Sequence, residues 1–329
     1  MALPRVSVCL LTYKRADVLP ATLDTLLAQD HSDFELIIND DRSPDHTEEV
    51  CREYARRDSR IRYFKNAQNL RYANNQNAAI ARASCEHVAI VHDADLYEPQ
   101  LLSRWTRALI DQPSAALVFN RAKQLNLARE VIGEFTHPYG PLIPGRALLD
   151  DMLIRADSPI FGIVMVRRSR ILEAGPFDPR IPTLADVDMW MRLLLRYDAA
   201  YVDESLYAIA AREAGHHNNY DNWNVRKENE LIYELNWRRR FINDPVAGEQ
   251  IRREIVKINY RQRALGLAAC LRYARWQAAK TGLQYILNEP PFGARLVPES
   301  VLTWAEVSRF AGVDIVAAPQ SSEKNLLPV

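Results

Sequence analysis

Three absences bound the reading of this 329-residue chain. It has no net charge: 42 Lys and Arg offset 42 Asp and Glu. No overall basic field draws it onto nucleic acid, so none is expected as a partner. It has no paired cysteines: Cys9, Cys51, Cys85 and Cys270 lie far apart, with no C-x-x-C and no Cys/His cluster. Neither a zinc site nor a disulfide framework is expected, and the thiols read as small buried hydrophobes in a reducing cytoplasm. Nor is there a run of ~18 apolar residues to span a bilayer, or a basic segment followed by an apolar one to signal export. The expected location is cytoplasmic, with peripheral contact at the inner membrane face still open. Glycine is scarce too, 11 in all, and residues 12–19 contain none.

What is present is a chain 48% apolar, ample for a buried core. Short apolar runs at 6–11, 34–38, 61–64, 87–92, 117–120 and 160–167 read as strands. Helical spacing recurs at 19–27, 47–57, 78–83, 101–110, 168–174 and 186–197. An Asn-rich stretch, 69–77, leads into the helical run at 78–83, and a Pro- and Gly-containing stretch, 134–145, reads as a loop. Alternation of strand and helix predicts an α/β fold, a mostly parallel sheet with helices on both faces. Long arginine-rich helices begin near 224, which suggests a sheet-containing domain over 1–223, a helical region over 224–317 and a disordered tail over 318–329.

Chemistry gathers where the strands end, the edge at which open α/β sheets hold ligands. Asp93 and Asp95 follow an apolar strand two positions apart, so both point to one side. Their mutual repulsion is relieved by a hard divalent cation such as Mn²⁺ or Mg²⁺ shared with phosphate oxygens. Asp40 and Asp41 end the second strand, where a carboxylate can accept from a uracil or thymine imide or a ribose hydroxyl. Thr12 and Tyr13 follow the first strand, and the Tyr13 ring can flank a base. Arg15 and Arg71 supply planar cations for a diphosphate. Asp186, with Asp188 as second candidate acid, opens a helix and can serve as the base for an acceptor hydroxyl. His216 and His217, in a polar loop, are candidate metal or diphosphate ligands. His92 adjoins the acidic pair, but strand parity directs it elsewhere.

The runs 6–15, 34–43, 92–95 and 186–192, in that order and spacing, closely resemble glycosyltransferase family 2, with its GT-A fold, over roughly residues 4–220. The resemblance implies an inverting, metal-dependent transferase using a nucleoside diphosphate sugar, UDP favoured and dTDP next. Its acceptor would be a saccharide or lipid-linked saccharide of surface polysaccharide or glycolipid assembly. It implies that Thr12, Tyr13 and Arg15 lie along the nucleotide, Asp40 faces the base, and Arg71 lies near the base or diphosphate. Asp93 would bind ribose or the metal through water, Asp95 would ligate the metal, and Asp186 would be the catalytic base. Four departures stand out: Ala185 replaces a usual Glu, Lys14 a common Asn, Arg71 a usual Gly and Gln76 a frequent Arg. A non-catalytic GT-A-like scaffold is the alternative, and a sugar-nucleotide nucleotidyltransferase a weaker one, since it would carry a glycine-rich loop after the first strand. The basic, aromatic C-terminal helices suit either an anionic membrane face or simple packing against the catalytic domain, and an oligomer is compatible with both.

Overall fold

All seven residues of β1 (Val6–Thr12) and of β2 (Phe34–Asp40) are buried, as expected of strands covered on both faces. Val6, Val8 and Leu10 enter one core, while Cys9 and Leu11 enter the other. The computed structural model describes residues 3–211, 223–272 and 274–288. Helices α1 (Leu19–Leu27), α2 (Thr47–Arg57) and α4 (Leu101–Asp111) supply the first core, through residues such as Leu23, Cys51 and Trp105. The second core is built from α3 (Arg71–Arg82), α5 (Gly145–Arg155), α6 (Arg168–Ala174) and α7 (Ala185–Leu194).

The remaining strands are β3 (Ile61–Lys65), β4 (His87–His92), β5 (Leu96–Tyr97), β6 (Ala115–Leu125), β7 (Val131–Phe135), β8 (Leu142–Ile143), β9 (Val164–Arg167) and β10 (Asp198–Ile209). They form one sheet in the order β3-β2-β1-β4-β9-β6-β10-β5, with β7 beside β6 and β8 beside β10. The strands β3, β2, β1 and β4 are mutually parallel, and β9 runs antiparallel between β4 and β6. The chain moves outward from β1 to β3 and then returns to place β4 on the other side of β1. That reversal opens a crevice at the carboxyl ends of β1 and β4, where such folds bind ligands. The predicted α/β architecture is therefore the one observed.

Three elements depart from the sequence expectations. The helix expected from 78 takes in most of the Asn-rich stretch, because α3 already begins at Arg71. Its asparagines are held by distant partners: Asn75 Oδ1 accepts from Asn66 Nδ2 at 2.7 Å, and Asn77 exchanges two hydrogen bonds with the Phe177 backbone. The segment 134–145 contributes the end of β7 and all of β8. Twelve residues of β10 have no counterpart in the expected strands. Its register against β6 shifts three times, which breaks the alternation a sequence reading depends on.

Three helices follow: α8 (Trp223–Phe241), α9 (Pro245–Arg272) and α10 (Trp276–Asn288). A division at 223/224 would sever α8 from a core it helps close, since Ile232, Tyr233 and Phe241 pack with α5 and α7 residues. A smaller cluster of Trp223, Cys270, Ala279 and Tyr285 joins α8, α9 and α10. Several of the C-terminal arginines turn inward. Arg240 pairs with Asp150 at 2.8 Å, Arg239 with Asp188 at 2.7 Å, and the buried Arg263 with Glu230. These cations hold the helices to the sheet domain and to each other, as packing against that domain requires. The tail 318–329 lies outside the described residues.

Candidate active site at the carboxyl ends of the sheet

One cavity of about 740 Å³ opens at the ends of β1 and β4. Thr12, Tyr13, Arg15, Arg71, Asp93, Asp95 and Asp186 all line it. Asp40 and Asp188 do not, and His216 and His217 lie outside the described residues.

The turn after β1 is fastened to its neighbours. Lys14 N donates to Ser43 Oγ and Arg15 N to Thr47 Oγ1, both at 3.0 Å. Asp93 ties the same turn to β4, accepting from Tyr13 N at 3.3 Å and pairing with Arg15 Nε at 3.4 Å. Lys14 has φ 57° and Arg71 φ 62°, in the left-handed region that Gly and Asn occupy most easily. These are the positions at which the family resemblance implied Asn and Gly. Each lysine or arginine there costs roughly 1–2 kcal/mol of backbone strain, and at position 71 a guanidinium is placed on the cavity wall.

Asp40, expected to face the base, requires correction. It is fully buried, and its carboxylate accepts from Ser43 N and Tyr63 Oη, each at 2.8 Å. Its neighbour Asp41 is the one that lines the cavity. Asp41 accepts from Leu70 N, Arg71 N and Asn66 Nδ2 at 2.7–3.0 Å, fixing the start of α3 beside the crevice.

At the end of β4, Asp95 is 1% exposed, accepts from Ala210 N at 3.0 Å and lies 3.6 Å from His92 Nδ1. His92 was expected to point away, yet it lines the cavity. The parity argument fails because β4 ends at His92, where the Tyr97 hydroxyl accepts from its N–H and donates to its carbonyl, each at 2.8 Å. Across from it, Asp186 stands in the first turn of α7. A Cβ at Gly162 would fall 2.6 Å from the His92 ring and 2.9 Å from Asp186 Oδ2. The absence of a side chain at 162 lets the His92 ring and the Asp186 carboxylate approach the backbone here, and His92 in turn reaches Asp95 through Nδ1.

The two acids of α7 differ sharply. Burial raises the Asp186 carboxyl above the usual carboxylate range, against the opposing pull of His92 and the Val187 N–H. A raised carboxyl is a stronger base. Burial acts on Asp188 too, but Arg239 and Arg192 outweigh it and hold that carboxyl low. Arg192 pairs at 2.8 Å, Arg239 at 2.7 Å and Asn236 at 3.1 Å, so both Asp188 oxygens are committed to anchoring α8 on α7. The second candidate acid is thereby removed from the cavity. The buried Glu228 of α8 accepts from Thr183 N and Leu184 N at 2.8 and 2.6 Å, satisfying donors just ahead of α7.

Asp93 and Asp95 suit a hard divalent cation. They are carboxylates on a cavity wall, and among the described residues no three His, Cys, Asp or Glu side chains form a protein-only cage. A cation held by one or two carboxylates completes its shell with phosphate oxygens and water, as Mg²⁺ commonly does.

Residues 7–155 match the model of glycosyl transferase family 2. Over 198 residues the chain is 27% identical to TuaG of Bacillus subtilis strain 168, named for teichuronic acid biosynthesis, covering 60% of this chain and 75% of TuaG. Over 138 residues it is 32% identical to the GalNAc(5)-diNAcBac-PP-undecaprenol beta-1,3-glucosyltransferase of Campylobacter jejuni, covering 40% and 43% of the two chains. The match to protein CgeD of B. subtilis, 28% identical, spans 46% of this chain and only 36% of CgeD. Among solved structures, S. aureus TarS 1-349 in complex with UDP-GlcNAc superposes with a TM-score of 0.57 at 17% identity, covering 86% and 92%. Mannosyltransferase PcManGT of Pyrobaculum calidifontis, in complex with GDP-Man and Mn2+, gives 0.53 at 15% identity, covering 94% and 84%. The match to glycosyl transferase family 2 thus covers residues 7–155, and the fold that carries them is GT-A.

Proposed function

We propose that the chain is an inverting glycosyltransferase that moves a sugar from a nucleoside diphosphate sugar to an acceptor hydroxyl, with UDP the favoured nucleotide and dTDP the next. The observation that carries this reading is that Asp95, His92 and Asp186 line one cavity, with His92 beside Asp95 and both His92 and Asp186 against Gly162. The TarS complex with UDP-GlcNAc and the PcManGT complex with GDP-Man and Mn2+ support it by fold. In this reading Tyr13 flanks the base and Asp41 takes over the base or ribose contact expected of Asp40. Arg15 and Arg71 face the diphosphate, and Asp93 holds Arg15 in place. Asp93 and Asp95, with His216 or His217 as further candidates, would hold Mn²⁺ or Mg²⁺, which supplies charge stabilisation to the departing diphosphate.

Asp186 accepts the proton of the acceptor hydroxyl as that oxygen bonds to the anomeric carbon. The bond from that carbon to the diphosphate breaks with its electrons going to the nucleotide. A single in-line displacement with one base inverts the anomeric configuration. Incubating the protein with Mn²⁺, a panel of nucleotide sugars and simple pyranoside acceptors, with the product anomer read by NMR, tests this. One donor is expected to be consumed with inversion. A retained anomer overturns the mechanism, and failure to bind or consume any donor overturns the function and favours a scaffold.

The acceptor in this reading is a lipid-linked saccharide of surface polysaccharide or glycolipid assembly, a class exemplified by the undecaprenol-linked acceptor in the name of the Campylobacter relative. No helix among the described residues is long and apolar enough to cross a membrane. One face of α10, however, presents Trp276, Lys280, Leu283 and Leu287 outward, at helical spacing. Residues 255–288 contain six Lys or Arg and no Asp or Glu. An apolar stripe in a basic field suits an anionic lipid surface. Sedimentation with vesicles is expected to carry down the protein when they contain phosphatidylglycerol, with release by salt. Equal recovery with neutral phosphatidylcholine vesicles would contradict that contact.

A further inference from the structure

The cavity does not end at Asp186. Past it, the wall is made by the loop after α5 and by α8, which lies outside the stretch matched to the family. Ala156 caps α5 at φ 51°, a left-handed turn strained for alanine, and the chain after it brings Asp157 and Ser158 to the cavity. Ser158 Oγ bridges to the Ile160 backbone, donating to its carbonyl at 2.9 Å and accepting from its N–H at 3.2 Å, which fixes the loop. From α8 come Asn229, whose Nδ2 donates to Ala156 O at 3.4 Å, and Tyr233. Tyr233 is 1% exposed, and its hydroxyl is buried with no hydrogen-bond partner. A buried unpaired hydroxyl is costly, and on a cavity wall it is the kind of group a ligand satisfies.

Charge divides this cavity. Its cationic lining residues, Arg15 and Arg71, belong to the β1 and α3 side, and the α8 side has a carboxylate, an amide and hydroxyls but no lysine or arginine among the described residues. Asp157 is exposed on the cavity rim, where its carboxylate is open to a hydroxyl donor. Apolar surface from Ile160, Phe161 and Pro182 lies alongside. A neutral polyol with an apolar face matches this lining, and a diphosphate does not.

We propose that Asp157, Asn229 and Tyr233 form the acceptor subsite and take a pyranose through its ring hydroxyls, delivering one hydroxyl to Asp186. The assignment rests on the transferase reading above and adds the side chains of this chain that hold the acceptor on the far side of the base. It is tested on the full chain with Tyr233→Phe and Asp157→Asn. Saturation-transfer NMR with a panel of p-nitrophenyl pyranosides, in the presence of UDP and Mn²⁺, reads the subsite, and calorimetry reads UDP.

The wild type is expected to bind at least one pyranoside. Each variant should weaken it fivefold or more, while UDP affinity stays within twofold. Tyr233→Phe should also unfold at an unchanged or higher temperature, because it removes an unsatisfied buried hydroxyl; that separates loss of binding from loss of fold. Pyranoside binding unchanged in both variants, or absent from a wild type that binds UDP, overturns the subsite alone. A parallel loss of UDP affinity reassigns the pocket to the donor and overturns it too. A wild type that does not bind UDP removes the transferase reading itself.

Discussion

Asp186→Asn should leave UDP affinity within about twofold of wild type and lower the transfer rate by about 10³-fold, within the range that general-base catalysis commonly contributes. The amide is nearly isosteric, so it keeps the contact with the Val187 N–H and the fit against Gly162 and His92. What it loses is the ability to hold a proton. Asp188 does not replace it, because its oxygens are bound by Arg192, Arg239 and Asn236 away from the cavity.

The pH dependence carries the same signature. The working base is the ionised form, so kcat/KM falls as pH drops through the Asp186 carboxyl. Burial places that carboxyl above the ordinary carboxylate range, so the acid limb should lie at higher pH than an exposed aspartate would give. In Asp186→Asn the residual activity should lack that limb. A variant that transfers at the wild-type rate, or keeps the limb, would exclude Asp186 as the base.

The second large effect is expected at Asp95. Asp95→Asn keeps an oxygen to accept from Ala210 N and leaves the backbone bond from Thr22 Oγ1 untouched. It removes the negative charge that a hard cation needs. UDP should bind this variant with the same affinity whether Mn²⁺ or EDTA is present, and in Mn²⁺ at least tenfold more weakly than the wild type does. Calorimetric titration under both conditions measures the difference. A full Mn²⁺ enhancement retained in Asp95→Asn would move the cation elsewhere. Asp93→Asn is a less clean test, because it also releases Arg15 and the turn after β1.

The frame of this site was legible in the sequence for a physical reason. Strands such as β1 and β4 are buried on both faces, so they appear as unbroken apolar runs whose ends mark the sheet edge. The acids at 93, 95 and 186 stand directly at such ends or at a helix start. What stayed hidden depends on contacts between distant segments. The choice between Asp40 and Asp41 turns on Tyr63, 23 residues away, which bonds the former from within the sheet. His92 escaped because period-two parity holds only while the chain remains a strand. The far wall of the cavity was illegible because α8 contributes to it from beyond the recognisable motifs, anchored by Glu228 at the start of α7. The unexpected Lys14 and Arg71 became interpretable only once their positive φ angles were known.

Crystals grown with UDP and Mn²⁺ and measured at the manganese absorption edge would test the central claim most directly. The account predicts an anomalous peak joining the Asp95 carboxylate to the diphosphate, with the uracil beside Tyr13 and Asp41 and the end that carries the sugar turned toward Asp186. Manganese bound away from Asp93 and Asp95, or a nucleotide lying outside the crevice between β1 and β4, would contradict it.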